Sequence, residues 1–237
     1  MRWRARSRPR ERTAWRAWPA RVIALKPPRL ALGLAIVLVL VSLALPLWSL
    51  GRVAGSEQDI GSFSWTAITT TTYISGGWDR TTILPYTSSQ SPFPPPSTPA
   101  FRAVGSALAT AYLLNVVLLV VLAVVFGLFS IGYSRTMPTL SLLIVGLIVL
   151  GVALLALFYP IVTVPDAATR DVGTFTIDGF WGSDSVSGAL WSWSPGLGWW
   201  VLLVAVILGT VGAVLPYVKS IRAMVPPAPE DWRPPAS

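Results

Sequence analysis

The sequence predicts an all-α membrane protein: a four-helix transmembrane bundle with a small β-rich cap formed by its two outer loops. Three observations carry this. Charged residues make up 12 % of the 237 and hydrophobic residues 53 %, so the ionic share is about half that of a soluble domain. The charges present leave four long neutral gaps: Arg29 to Arg52, Arg102 to Arg135, Arg135 to Asp166, and Asp184 to Lys219. The first long intervening segment is rich in Thr, Trp and Tyr, residues that favour strands, and the second offers the β-prone run Val172–Ile177.

Residues 1–29 hold ten basic residues against the single acid Glu11. Arg at every second position from 2 to 12 spreads charge around any helix, so this arm is expected to be largely disordered. Trp15 and Trp18 are placed to lie at headgroup level, with Arg16, Arg21, Lys26 and Arg29 reaching lipid phosphates. An anionic bilayer surface is the partner this implies. Nucleic acid is disfavoured, because the position beside a span already accounts for the charge.

A spanning helix needs roughly 20 mostly apolar residues. The gaps place spans at 30–50, 104–131, 139–163 and 197–217. Many of these residues are β-branched, but in lipid a segment must satisfy its own backbone polar groups, so a helix wins. Pro46, Pro160 and Pro216 fall near the span ends, where they cost least. Span one has a cleaved signal peptide as its alternative, with Val53-Ala54-Gly55 as the cleavage site. Its run of about 21 apolar residues exceeds the roughly 7–15 of such a segment.

The first loop, 51–103, has two textures. Residues 64–84 predict a hairpin, 64–74 pairing with 78–84 around Ser75-Gly76-Gly77. Residues 88–99 are Pro-rich and predict an extended connector. Span two contains Asn115, the most polar group at depth. Its amide is expected to bond across helices, with a pore-lining role as the alternative. A short turn, 132–138, carries Arg135.

The second loop, 164–196, offers Val172–Ile177 as a strand that completes a three-stranded sheet with the hairpin. It also holds Trp181, Trp191 and Trp193. Packing beneath the sheet is the first reading of these three, and an aromatic interaction surface the second. In span four Ala205, Gly209 and Ala213 form a small-residue row, suited to close packing within the bundle or between copies. Residues 218–237 form a Pro-rich tail.

Positive charge on the arm, the short turn and the tail puts both termini in the cytoplasm of a multi-pass protein of the cell membrane, with both long loops outside. The absence of Cys removes thiol nucleophiles and Cys-held metals, and the absence of His removes the usual neutral-pH base. The loop acids have no spacing that points to catalysis or to a calcium loop. No cofactor, no metal and no enzymatic activity are expected.

In layout the chain resembles the claudin-type tetraspan architecture: four spans, both ends inside, a long β-prone first outer loop and a smaller second one. The resemblance lies in topology and loop proportions. That family's first-loop signature joins a Trp with Gly-Leu-Trp and two Cys. Here there is no Cys, and the nearest string, Ala189-Leu190-Trp191, lies in the second loop. No functional residue is carried over. The leading functional expectation is a structural, scaffold or accessory interaction protein, with a protein partner or a second copy engaging the cap. A small passive transporter or channel subunit is the alternative.

Overall fold

The computed structural model describes residues 27–88, 90–93 and 101–224. The arm residues Trp15, Arg16, Trp18, Arg21 and Lys26, the connector beyond Phe93 and the tail beyond Met224 lie outside the described residues. Four helices are long and apolar enough to cross a membrane. They are α1 (Pro27–Ala44), α2 (Arg102–Ser130), α3 (Thr139–Val172) and α4 (Leu197–Met224). Their outward faces are apolar as well as their inward ones. Leu34, Leu113, Val120, Leu155, Val162 and Ile207 are each more than half exposed, whereas a helix facing water carries polar groups there.

The helices pack in a ring, α1 against α2, α2 against α3, α3 against α4 and α4 back against α1. Small residues set the closeness of the last contact. A Cβ on Gly209 would sit 2.9 Å from Leu122 of α2 and 3.5 Å from Ala35 of α1, and one on Gly212 would sit 2.9 Å from Leu32. Ala205, Gly209 and Ala213 are all buried, so the row faces into the bundle.

The two loops build one six-stranded antiparallel sheet, larger than the three strands expected. Its strands are β1 (Trp48–Ala54), β2 (Glu57–Phe63), β3 (Ala67–Ile74), β4 (Gly77–Pro85), β5 (Gly182–Val186) and β6 (Ala189–Pro195), in the order β4-β3-β2-β1-β6-β5. The hairpin read over 64–84 is β3 with β4, turning through Ser75 and Gly76 at φ 52° and 80°. Those left-handed values suit the two-residue turn that matches strand twist. β1 pairs with β2 on one side and β6 on the other, so strands of the two loops meet in the middle of the sheet.

Several sequence boundaries are corrected. Span one was placed at 30–50, but α1 ends at Ala44 and Trp48 opens β1. Pro46 cannot continue a helix ladder, and Leu47, Trp48 and Leu50 are buried beneath the sheet. Their hydropathy merges with that of the helix, and they join the same continuous apolar core although Trp48 and Leu50 belong to a strand. Span three does not stop at 163. α3 runs on to Val172 with Pro160 and Pro165 inside it, and ends where Gly173 takes φ 67° and its N–H donates to Thr169 O at 2.9 Å. Pro160 cannot donate to the preceding turn, and the nearby Leu157 carbonyl accepts the Trp199 indole N–H at 3.2 Å. Val172–Ile177 is therefore not a strand; Val172 closes a helix, and β5 and β6 supply the second loop's share of the sheet. α4 continues past 217 to Met224, with Pro216 inside it.

Candidate functional site

The strands alternate. On β1, Trp48, Leu50 and Arg52 are buried; on β2, Asp59, Gly61 and Phe63; on β3, Ile68, Thr70 and Thr72; on β6, Ala189, Trp191 and Trp193. The registers align these positions on one face of the sheet. Near the helices that face is aromatic. Trp48 and Phe63 have ring centroids 5.0 Å apart, Phe63 meets Phe101 at 5.2 Å, and Phe93 meets Trp191 at 5.4 Å. Phe175 sits 5.3 Å from Trp191.

The three loop tryptophans are thereby separated. Trp191 and Trp193 are buried in the cap, while Trp181 is 60 % exposed. Trp193 packs so closely on Gly182 that a Cβ there would lie 2.9 Å from the indole, which explains the glycine.

Hydrogen bonds fix the cap to the helix ends. The Trp48 indole donates to Phe180 O at 3.1 Å, and the Tyr112 hydroxyl of α2 donates to Leu45 O at 2.6 Å. Asp171 accepts from the N–H groups of Ala103 and Val104 at 3.1 and 2.8 Å. The last turn of α3 thus caps the start of α2, where free N–H groups and the helix dipole favour an anion. Tyr86 lies on Gly105 and donates its hydroxyl to Ser64 O at 2.6 Å. Burial, with the neighbouring Tyr112 second, holds that phenol well above its ordinary pKa.

Farther along the same face lies a polar cluster that sequence reading missed. Arg52 Nη1 is 3.1 Å from Asp59 Oδ2 and 3.5 Å from Glu57, and the Thr72 hydroxyl donates to Asp59 Oδ1 at 2.8 Å. Arg52, Asp59 and Thr72 are cross-strand neighbours on β1, β2 and β3. Both carboxylate oxygens are engaged and the carboxylate is 1 % exposed, so this group holds a register and does not present a reactive base. A cavity of about 380 Å³ adjoins it, between Thr72, Thr82, Arg80 and Ser91–Phe93. Period-two alternation from Trp48 to Arg52 is the signal that locates the cluster, and it lies across the end that charge spacing predicts for span one.

At the edge of the sheet the alternation stops. Every residue of β4 from Gly77 to Ile83 is exposed, with Trp78 and Ile83 each at 67 %. Its outer backbone edge pairs with no strand among the described residues. Within the bundle, Asn115 is fully buried, and neither amide atom has a partner among the described residues. The bond across helices expected of it is not made among the described residues. Ser42, the buried polar group of α1, donates instead to its own Val39 carbonyl at 2.7 Å. Arg29, read as a headgroup anchor, stands in the first turn of α1.

The chain matches no protein-family model and no curated protein.

Proposed function

We propose that this is a multi-pass protein of the cell membrane with both termini in the cytoplasm. It acts without catalysis, as a structural, scaffold or accessory interaction protein, through the outer sheet. The observation that carries the reading is β4: an edge strand with both faces exposed, bearing Trp78 and Ile83. Soluble edges are commonly blunted by inward charge, bulges or cover, because free N–H and C=O groups recruit another strand. Here the edge is nine residues long and partly apolar; a bulge at Asp79 and the charges of Asp79 and Arg80 interrupt it, and Thr81–Leu84 beyond them stay unblunted. Strand addition by a protein partner satisfies both its backbone groups and its apolar side chains.

The test is a photo-crosslinking amino acid at Ile83 in intact cells. A discrete protein adduct, lost when Trp78→Ser is added, is the expected result. Adducts to lipid alone overturn the reading.

A second reading, a small passive transporter or channel subunit, draws on one observation: the unpartnered amide of Asn115 at depth. Solute flux through reconstituted protein, abolished by Asn115→Leu, would favour it over the interaction reading.

A further inference from the structure

The end of the bundle away from the sheet carries a second built site. The starts of α1 and α3, the end of α2 and the last turns of α4 converge there around a cavity of about 390 Å³. Arg29 and Lys219 line it from opposite ends of the chain, with the hydroxyl residues Ser134 and Ser220 between them and Phe129 and Leu142 among its apolar walls. Thr139 and Ser220 share a hydrogen bond of 2.6 Å, which fixes the α3–α4 side of the cavity. Among the described residues, neither Arg29 nor Lys219 has a carboxylate partner.

Helix ends add to the same sign. Neither α1 nor α3 has an acidic residue in its first turn, and α3 has no side-chain cap. The free first-turn N–H groups of α3 at this end therefore favour an anion, whereas α1 opens on Pro27 and Pro28, which have no N–H to offer. The opposing carbonyls at the end of α2 are partly occupied, since Ile131 N donates to Gly127 O at 3.1 Å and Gly132 N to Phe129 O at 3.2 Å.

Arg29 also heads a second hollow, of about 490 Å³, which is almost wholly apolar. It runs along the lipid-facing side of α1 past Leu30, Gly33, Leu34 and Val37, with Phe126 of α2 as its far wall. Gly33 opens it: a Cβ there would only touch Phe126, at 3.5 Å. One cation thus joins a polar pocket with two positive charges to an apolar trough more than two helical turns long.

We propose that this end of the bundle binds an anionic glycerophospholipid, its phosphate held by Arg29, Lys219, Ser134 and Ser220 and one acyl chain laid along the Gly33 trough. A free phosphate shares the headgroup chemistry, but it leaves the trough empty. Phosphatidylcholine fills the trough, but its choline brings a positive charge to a site that already holds two. The site rests on the membrane reading of the bundle and is independent of what the sheet binds.

Native mass spectrometry of the purified, delipidated full chain tests this, with phosphatidylglycerol, phosphatidylcholine and inorganic phosphate offered separately. Phosphatidylglycerol should be retained about tenfold more strongly than phosphatidylcholine, and phosphate alone weakly. Each cation near a phosphate contributes about fivefold. The Arg29→Gln/Lys219→Gln double variant should therefore lose about 25-fold in phosphatidylglycerol retention. Gly33→Leu should lower lipid retention and leave phosphate binding as it was. Should the double variant fail to fold, Ser134→Asp, in the one-turn 3-10 helix Tyr133–Arg135 between α2 and α3, places a carboxylate in the pocket and should have the same effect. Equal retention of the two lipids, or unchanged retention in either charge variant, overturns the proposal. Phosphate binding as strong as lipid binding, with Gly33→Leu silent, assigns the pocket to a free anion and overturns the lipid assignment.

Discussion

Two buried polar sites, one in the sheet and one in the bundle, are treated oppositely, although Thr70 Oγ1 and Trp193 Nε1 of the sheet also lack partners among the described residues. In the sheet, Arg52, Asp59 and Thr72 stand side by side on three strands and satisfy one another. In the bundle, Asn115 is equally buried and satisfied by nothing among the described residues. Antiparallel pairing explains the first case, because it fixes directly opposed side chains about 4.5–5.5 Å apart. A one-residue slip of β1 would turn Arg52 to the other face and strand Asp59, so the cluster penalises wrong registers. Helix packing gives no such guarantee of a partner. The difference separates polar burial that specifies the fold from polar burial that the fold leaves open.

The largest expected effect breaks the satisfied cluster. Arg52→Ala leaves the Asp59 carboxylate buried without its cation, a change that costs about 3–5 kcal/mol. Limited proteolysis of the purified protein should then cut within the sheet while the helices stay intact. Replacing both partners, Arg52→Leu with Asp59→Leu, should restore most of the protection, because the penalty comes from the unpaired charge. Protection of the single variant equal to wild type would mean that the cluster does not hold the register.

The next effect concerns how tightly the bundle closes. Gly209→Leu forces a side chain against Leu122 and Ala35, and overpacking of this kind costs about 1–3 kcal/mol. The yield of monodisperse protein in detergent should fall. Gly151 on α3 has open space where a Cβ would go, so Gly151→Leu should leave the yield unchanged. A loss at both positions would point to helix insertion as the sensitive step, and not to inward packing.

The same contrast explains what could be read from the amino acids. The four apolar helices follow from charge spacing alone, since lipid demands long neutral runs. The β3–β4 hairpin is visible in its Thr-rich strands and Ser75-Gly76 turn. β1 was hidden because Leu47, Trp48 and Leu50 are as apolar as the helix before them, so hydropathy cannot mark where helix gives way to strand within one continuous core. The extension of α3 was hidden because Pro160 suggests an end, while the helix runs on through it to Val172 and closes only at Gly173. Of the three loop tryptophans, only Trp181 is exposed. Composition alone cannot say which of them face inward; the registers of β1 and β6 decide that. Trp191→Ala therefore tests the folding of the cap more than any partner.

Asn115→Leu carries the opposite sign. Removing a buried amide that lacks partners relieves an unpaid desolvation of about 1–3 kcal/mol, so thermal stability in detergent should rise. A fall would show that something within the assembled protein completes the amide's hydrogen bonds, and the contrast between sheet and bundle would narrow.

The smallest effect on stability is expected at the sheet's edge, and there it is the most informative. Trp78 and Ile83 are each two-thirds exposed, and among the described residues the indole of Trp78 is held only by the hydroxyl of Thr81 at 3.2 Å. The change Trp78→Ser with Ile83→Thr removes two large apolar groups without opening a cavity, so stability should move by no more than about 0.5 kcal/mol. In a strand paired on one side only, those side chains gain little from the fold, so their presence calls for another cause. Loss of partner recovery from cells at unchanged abundance would locate that cause in binding. Unchanged recovery would leave β4 as an exposed strand without a partner and move the search for one to the Trp181 side of the sheet.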